Sequence, residues 1–261
     1  MRLANKTALV TGASGGIGKA TALQLAKEGA DIVLHYHNDE AAAKQVSDSI
    51  KQLGVKVHVL QASLDVVEEA VLLGEQAWQA FGKIDFLINN AGVSYKKHFL
   101  DYTVADVDHF ININFKGTLF LTQTIARKMV ENNIEGSIYS ITSINGVQPG
   151  VGQSVYGASK GALETLMKGV ALELAPHNIK VNTLAVGAIQ TGLNADVWQD
   201  PEKLELVNNN IPMQRLGQPD EIAAVIANLL SSDSYMTGST ITIDGGWLLK
   251  HGYQSPKPYK K

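Results

Sequence analysis

The sequence contains no cysteine. Disulfides, thiolate nucleophiles, cysteine-ligated zinc and iron–sulfur clusters are thereby excluded, and any metal chemistry has to rest on histidines and carboxylates. A strong charge of either sign is also missing: acids and bases are mixed along the chain, and the formal net charge is −3. Such a surface lacks the field that draws in nucleic acid or an anionic membrane, and neither partner is expected. No apolar run approaches membrane-spanning length. Met1 leads through two charged residues straight into strand-like Thr7-Ala8-Leu9-Val10, which leaves no space for a signal peptide, so a cytoplasmic location is the expectation. No Pro-, Gly- or Ser-rich linker and no repeat period divides the chain. With 45% hydrophobic and 18% charged residues, its 261 residues suffice for one large core.

What is present is an alternation. Short apolar, often β-branched runs predict strands near residues 6–11, 30–36, 55–61, 83–89, 134–142, 178–186 and 239–243. Between them, apolar residues at three-to-four spacing predict helices over 17–28, 40–53, 66–81, 101–132, 153–176 and 219–231. Gly29, Gly54 and Gly82 stand just past three of these helices, where a left-handed terminal residue suits glycine. Seven strands alternating with helices predict one α/β domain over residues 1–250. It is a Rossmann-type, doubly wound parallel sheet with helices on both faces. A long stretch at 191–212 interrupts the rhythm, and a polar tail occupies 251–261.

After the first strand comes Thr11-Gly12-Ala13-Ser14-Gly15-Gly16-Ile17-Gly18. Glycine in such a turn lets phosphates approach a helix N-terminus, whose unpaired N–H groups and dipole favour negative charge. Taken alone, the loop is equally a tight strand-to-helix connection. Its place in the first βαβ unit makes Gly12, Ser14, Gly15, Gly16, Ile17 and Gly18 candidate phosphate-binding residues. The end of the second strand reads Tyr36-His37-Asn38. An acid there would bind a free ribose 2′-hydroxyl and repel a 2′-phosphate. None stands at the strand terminus, although Asp39 and Glu40 follow, and the reading favours NADP(H) with NAD(H) as the alternative. His35 and His37 are otherwise polar strand-end residues. A metal site there lacks a third ligand, and no metal is expected.

Tyr156 and Lys160 are four apart, on one face of a helix that begins near Gln153. A phenol titrates near pH ~10, and bringing it near neutrality takes roughly 3–4 kcal/mol of selective stabilisation, which a nearby ammonium can supply in large part. By itself such a pair marks only a surface helix. Ser143 past the fifth strand, Asn114 in the fourth helix and Asn89-Asn90-Ala91-Gly92 at the end of the fourth strand change that reading, because strand ends four and five flank the dinucleotide crevice.

Thr11-Gly-x-x-x-Gly16-x-Gly18, Asn89-Asn90-Ala91-Gly92, Asn114, Ser143, Tyr156-x-x-x-Lys160 and Asp244-Gly245-Gly246, in this order over the whole chain, resemble the short-chain dehydrogenase/reductase family. The resemblance implies Tyr156 as general acid/base, Lys160 lowering its pKa and holding the nicotinamide ribose, Ser143 orienting the reacting oxygen, and Asn114 positioning a water. It also implies cofactor contacts at Ser63, Leu64, Asn90, Ala91, Gly92, Gly187, Ile189 and Thr191. Three positions depart from the family pattern. Ser63 stands where an aspartate is common, Val186 precedes Gly187 where proline is usual, and Gly15 occupies a place often basic in NADP enzymes.

The stretch 191–212 resembles the family's substrate lid. Trp198 is either its ligand-covering aromatic or an ordinary core residue. With Asn145, Gln153 and the loop Ser94-Tyr95-Lys96-Lys97-His98 it forms the expected substrate pocket. Val186-Gly-Ala-Ile-x-Thr191-x-x-Asn194-Ala195, with Asp200-Pro-Glu202 and Ile211-Pro-Met213, is similar to bacterial glucose and other aldose 1-dehydrogenases, which implies a sugar or polyol as the small-molecule substrate. The alternatives are a 3-oxoacyl thioester reductase, with Lys96-Lys97 as a docking face, and a non-catalytic redox sensor. The family habit implies a homotetramer.

Overall fold

In the computed structural model, which describes residues 1–232 and 234–250, seven strands form a single sheet. They are β1 (Thr7–Val10), β2 (Asp31–Tyr36), β3 (Val57–Gln61), β4 (Phe86–Asn89), β5 (Ser137–Ser143), β6 (Lys180–Val186) and β7 (Thr240–Ile243). Every pairing is parallel, in the order β3-β2-β1-β4-β5-β6-β7. Ala8 of β1 pairs with Ile32 on one side and Phe86 on the other, so the winding reverses between β1 and β4 and a crevice opens at their carboxyl ends. Both of these strands are buried throughout, whereas β3 and β7 at the edges carry exposed positions. That difference is why the central strands read as continuous apolar runs.

The helices are α1 (Gly16–Lys27), α2 (Glu40–Gln52), α3 (Val67–Phe81), α4 (Val104–Ile111), α5 (Thr118–Glu131), α6 (Ser154–Leu174), α7 (Ala195–Trp198), α8 (Pro201–Asn208) and α9 (Pro219–Ser231). Alternate strand residues face opposite sides. Val10, Ile32 and Leu34 pack with Leu25 of α1, Val46 of α2 and Ile226 of α9. Leu9, Val33 and Leu87 pack with Leu73 of α3, Ile125 of α5 and Met167 of α6. The helix starts are written locally. Asp39 accepts the Ala42 amide at 2.9 Å to begin α2, and Asp200 accepts the Glu202 and Lys203 amides ahead of Pro201 in α8. Gly82, at φ 71°, closes α3.

The single helix expected over 101–132 is broken. Between α4 and α5 the chain widens into a π-helical segment, Asn112–Gly117. Two long-range contacts accompany the widening. The Asn114 carboxamide accepts from the Val93 amide at 2.9 Å and donates to the Val93 carbonyl at 3.0 Å. Gly117 passes so close to Leu64 that a Cβ would lie 2.1 Å from its carbonyl oxygen. Such widened turns are frequent at functional sites. Among the described residues no helix is long and apolar enough to cross a membrane. The expected tail at 251–261 lies outside the described residues.

Candidate active site

Gly12 enters the turn after β1 at φ +62°, and a Cβ there would stand 3.0 Å from the Cα of Ala91. Gly18, one turn into α1, lies under it: a Cβ would meet the Gly12 carbonyl oxygen at 2.3 Å and Asn90 Nδ2 at 2.4 Å. The turn is therefore compressed against the end of β4, and two side chains hold it there. Asn90 Nδ2 donates to the carbonyls of Thr11 at 2.9 Å and Gly12 at 3.2 Å. The Thr11 hydroxyl accepts the amides of Asn90 and Ala91 at 2.9 and 3.0 Å. Asn90, expected as a cofactor contact, lines the cleft, and its carboxamide nitrogen also shapes the turn.

Gly15 precedes α1 with no side-chain cap and no acid in the first turn. Helices α3, α5, α6 and α7 also begin without a capping side chain, whereas α2, α4, α8 and α9 have one. A Cβ on Gly15 would meet nothing within 4 Å. An uncapped helix start facing open space, with room for phosphate oxygens, fits the diphosphate of a dinucleotide.

His37 and Asn38 line the cleft beyond this turn, as do Ser63 and Leu64. Tyr36 does not; it is buried among the apolar residues on the α1 and α2 side of the sheet. Asp39 also lines the cleft, but its carboxylate caps α2. The Ser63 amide is taken by Glu69 Oε2 at 2.7 Å, and the Ser63 hydroxyl accepts from Asp65. His35 is 1% exposed. Its Nδ1 accepts from the Gly12 amide and its Nε2 faces the Ala62 carbonyl, each at 3.1 Å. With both nitrogens engaged, a metal site with His37 has no support. Among the described residues no three His, Asp or Glu side chains gather to hold a metal ion.

One cavity of about 890 Å³ runs from the glycine turn to Tyr156 and Lys160. Gly12, Ser14, Gly15, Gly16 and Ile17 line one end, with Ala91, Gly92, Gly187, Ile189 and Thr191 along its length. Ser143, at the end of β5, is buried and accepts the Asn145 amide at 3.1 Å. The Tyr156 hydroxyl, from the first turn of α6, hydrogen-bonds with Ser143 and Ser94. Its ring packs 6.2 Å from Phe110, centroid to centroid. Lys160, one turn on, is buried and donates to the Ile141 carbonyl at 3.0 Å.

Asn114 stands behind the cleft wall, with both amide protons committed to Val93 and Ser159. Its Oδ1 and Lys160 Nζ approach the place where a Cβ on Gly92 would be, at 2.9 and 3.2 Å. Burial pushes the Tyr156 phenol above its ordinary value, against the opposite pull of its bonds with Ser143 and Ser94. Burial also pushes Lys160 down to about 8. Withdrawal from water disfavours both charged forms, phenolate and ammonium alike.

On the substrate side Asn145 and Gln153 line the cavity, whereas His98 and Trp198 do not. His98 is exposed and its Nδ1 accepts the Leu100 amide at 3.4 Å. Trp198 turns its indole N–H to the Thr191 carbonyl at 2.8 Å, tying the expected lid at its base. The tryptophan that reaches the cleft is Trp247, after β7, with Leu248. No local signal marked it, because only the return of the chain past Ile211 and Pro212 brings it there. Ser94, Lys96 and Gln148 complete this polar end.

The chain matches, over residues 12–248, a family model described as enoyl-(acyl carrier protein) reductase. It is 35% identical to an L-rhamnose 1-dehydrogenase (NADP(+)) of Thermoplasma acidophilum, covering 94% of this chain and 96% of that one. It is likewise 35% identical to glucose 1-dehydrogenase 2 of Bacillus subtilis, over 95% and 96% of the two chains. Among solved structures, a short-chain dehydrogenase from Burkholderia cenocepacia in complex with NADP superposes with a TM-score of 0.89 at 33% identity, covering 95% of this chain and 100% of the other. An acetoin dehydrogenase from Enterobacter cloacae gives a TM-score of 0.86 at 37% identity, covering 98% of both.

Proposed function

This chain belongs to the short-chain dehydrogenase/reductase family, whose members interconvert alcohols and carbonyls, and from that premise we propose that it oxidises a sugar or polyol using NADP. One observation carries the reading: an uncapped helix start and the Ser143–Tyr156–Lys160 group line the same cavity. The relatives named for rhamnose and glucose support the substrate class.

The α1 amides would hold the cofactor's diphosphate, His37 and Asn38 would meet the 2′-phosphate, and Lys160 would hold the nicotinamide ribose. When bound, the nicotinamide supplies hydride exchange with the substrate carbon. The protein's own part is the proton. Tyr156 Oη, as the phenolate, takes it from the sugar hydroxyl in oxidation and, as the phenol, gives it to the carbonyl oxygen in reduction. Ser143 Oγ, already an acceptor from Asn145, has its one proton free to donate to the reacting oxygen. Gln153 Oε1 is buried with no partner and lines the cavity, an acceptor suited to a further substrate hydroxyl. Asn114 is a positioning residue. NAD(H) is the weaker cofactor reading, since Asp39 is committed to α2.

A small hydroxyketone is the second substrate reading, favoured by the likeness to acetoin dehydrogenase. A 3-oxoacyl thioester gains less, because Lys97 of the Lys96-Lys97 pair is bound to Asp106 at 2.5 Å. The test is a panel of aldoses, polyols, acetoin and an acetoacetyl thioester with NADP(H) and NAD(H). Oxidation of one or more aldoses is expected. Turnover of the thioester or acetoin alone overturns the sugar reading. The working form in this reading is a homotetramer, to be checked by sedimentation.

A further inference from the structure

His35 takes no part in the proton chemistry, yet it is buried with both ring nitrogens in hydrogen bonds. A backbone N–H only donates, so the Gly12 amide at 3.1 Å requires Nδ1 to be the unprotonated nitrogen. The ring proton then sits on Nε2 and donates to the Ala62 carbonyl at 3.1 Å. One neutral tautomer satisfies both bonds, and the imidazolium satisfies only one. Gly12 is consequently gripped at both ends of the residue: its carbonyl by Asn90 and its amide by His35.

The two partners belong to different walls of the same site. Gly12 opens the turn that leads to the uncapped start of α1. Ala62 precedes Ser63 and Leu64, which line the cavity at its other wall. The imidazole itself also lines that cavity, between the two. Among the described residues no other side chain hydrogen-bonds to both segments.

We propose that His35 is a positioning residue for the dinucleotide: its two ring nitrogens hold the glycine turn and the Ala62–Leu64 segment at the separation that the adenosine diphosphate half requires. This rests on the reading that the cleft takes NADP(H). The energetic advantage is preorganisation, since walls already set apart need not be ordered when the cofactor enters.

Two substitutions separate the bonds. His35→Asn places an oxygen near the Nδ1 position and keeps an acceptor for Gly12, while His35→Gln keeps a donor near the Nε2 position and loses that acceptor. NADPH dissociation constants are measured by fluorescence titration for the unaltered protein, both variants and His35→Leu. Amide exchange of Gly12 is followed without cofactor. Loss of the grip raises the constant about tenfold in His35→Gln and more in His35→Leu, with kcat at saturating cofactor little changed. His35→Asn stays within about threefold of the unaltered protein. The Gly12 amide exchanges faster in His35→Gln than in His35→Asn.

An unchanged dissociation constant in folded His35→Leu overturns the positioning role alone. If that variant does not fold, equal constants for the Asn and Gln variants overturn it instead. Failure of the unaltered protein to bind NADPH overturns the cofactor reading and the proposal together.

Discussion

Lys160 Nζ donates to the carbonyl oxygen of Ile141 at 3.0 Å, two residues before Ser143 on the same strand. The bond anchors the ammonium to the strand that carries Ser143, while burial brings its pKa down to about 8. A group lowered in this way is charged below pH 8 and neutral above it. Binding that needs the ammonium is therefore present below that pH and fades above. NADPH dissociation constants measured from pH 6.5 to 9.5 will rise above about 8 in the unaltered protein. In Lys160→Met they will be weaker and flat through that range. A flat profile in the unaltered protein contradicts the assignment.

Tyr156→Phe removes the hydroxyl proposed to carry the proton and leaves the ring against Phe110. Turnover will fall by roughly 10²–10⁴-fold, the ordinary contribution of a positioned acid/base. The NADPH dissociation constant will change little. Retention of most of the rate would place the proton transfer elsewhere.

Asp39→Asn preserves the α2 cap, because asparagine accepts an N-terminal amide as well as aspartate does. It removes a negative charge from the cleft wall beside His37 and Asn38. Affinity for NADPH will increase by about 3–10-fold while that for NADH stays nearly constant. Equal changes for both cofactors would show that the 2′-phosphate is read elsewhere.

Trp247 lines the cleft and Trp198 does not. Trp247→Ala will raise the substrate KM by about tenfold through loss of apolar contact, with the cofactor constant unaffected. Trp198→Phe loses only the tether to Thr191 and will move KM less than about threefold. The reverse ranking would mean that the lid closes over substrate by way of Trp198.

Burial, the first cause, lowers His35 from its ordinary 6.5 to about 4, with His37 adding to the effect and the bond to Ala62 opposing it. Between these values the unfolded chain binds more protons than the folded one. The stability contributed by the neutral ring is complete above pH 6.5 and is lost as pH falls toward 4. The shift corresponds to about 3 kcal/mol. Urea midpoints at pH 7 and pH 4.5 will separate more in the unaltered protein than in His35→Asn. Equal separations would mean that His35 does not titrate against folding.

Five of the helices (α1, α2, α3, α6 and α9), all seven strands and the Tyr156–Lys160 spacing were legible because their signals are local. Leu9-Val10 and Phe86-Leu87-Ile88 are continuous apolar runs, and Tyr156 and Lys160 are one helical turn apart. The break at Asn112–Gly117 was not legible, because its cause is the Val93 backbone and the Leu64 carbonyl, distant in the chain. Trp198 stayed open between a ligand-covering aromatic and a core residue, and Trp247 carried no signal, for the same reason: proximity to a lid in sequence is not proximity to the cleft in space.

Periodicity and breaker residues thus determined, without coordinates, that the chain alternates strands and helices around a glycine turn, since those patterns report burial within one element at a time. Only the tertiary structure decided that Gly12, His35 and Ala62 form one hydrogen-bonded unit, and that Asn90 shapes the turn. Hydrogen bonds between separate strand ends depend on how the sheet brings those ends together, and residue spacing along the chain carries no record of that distance.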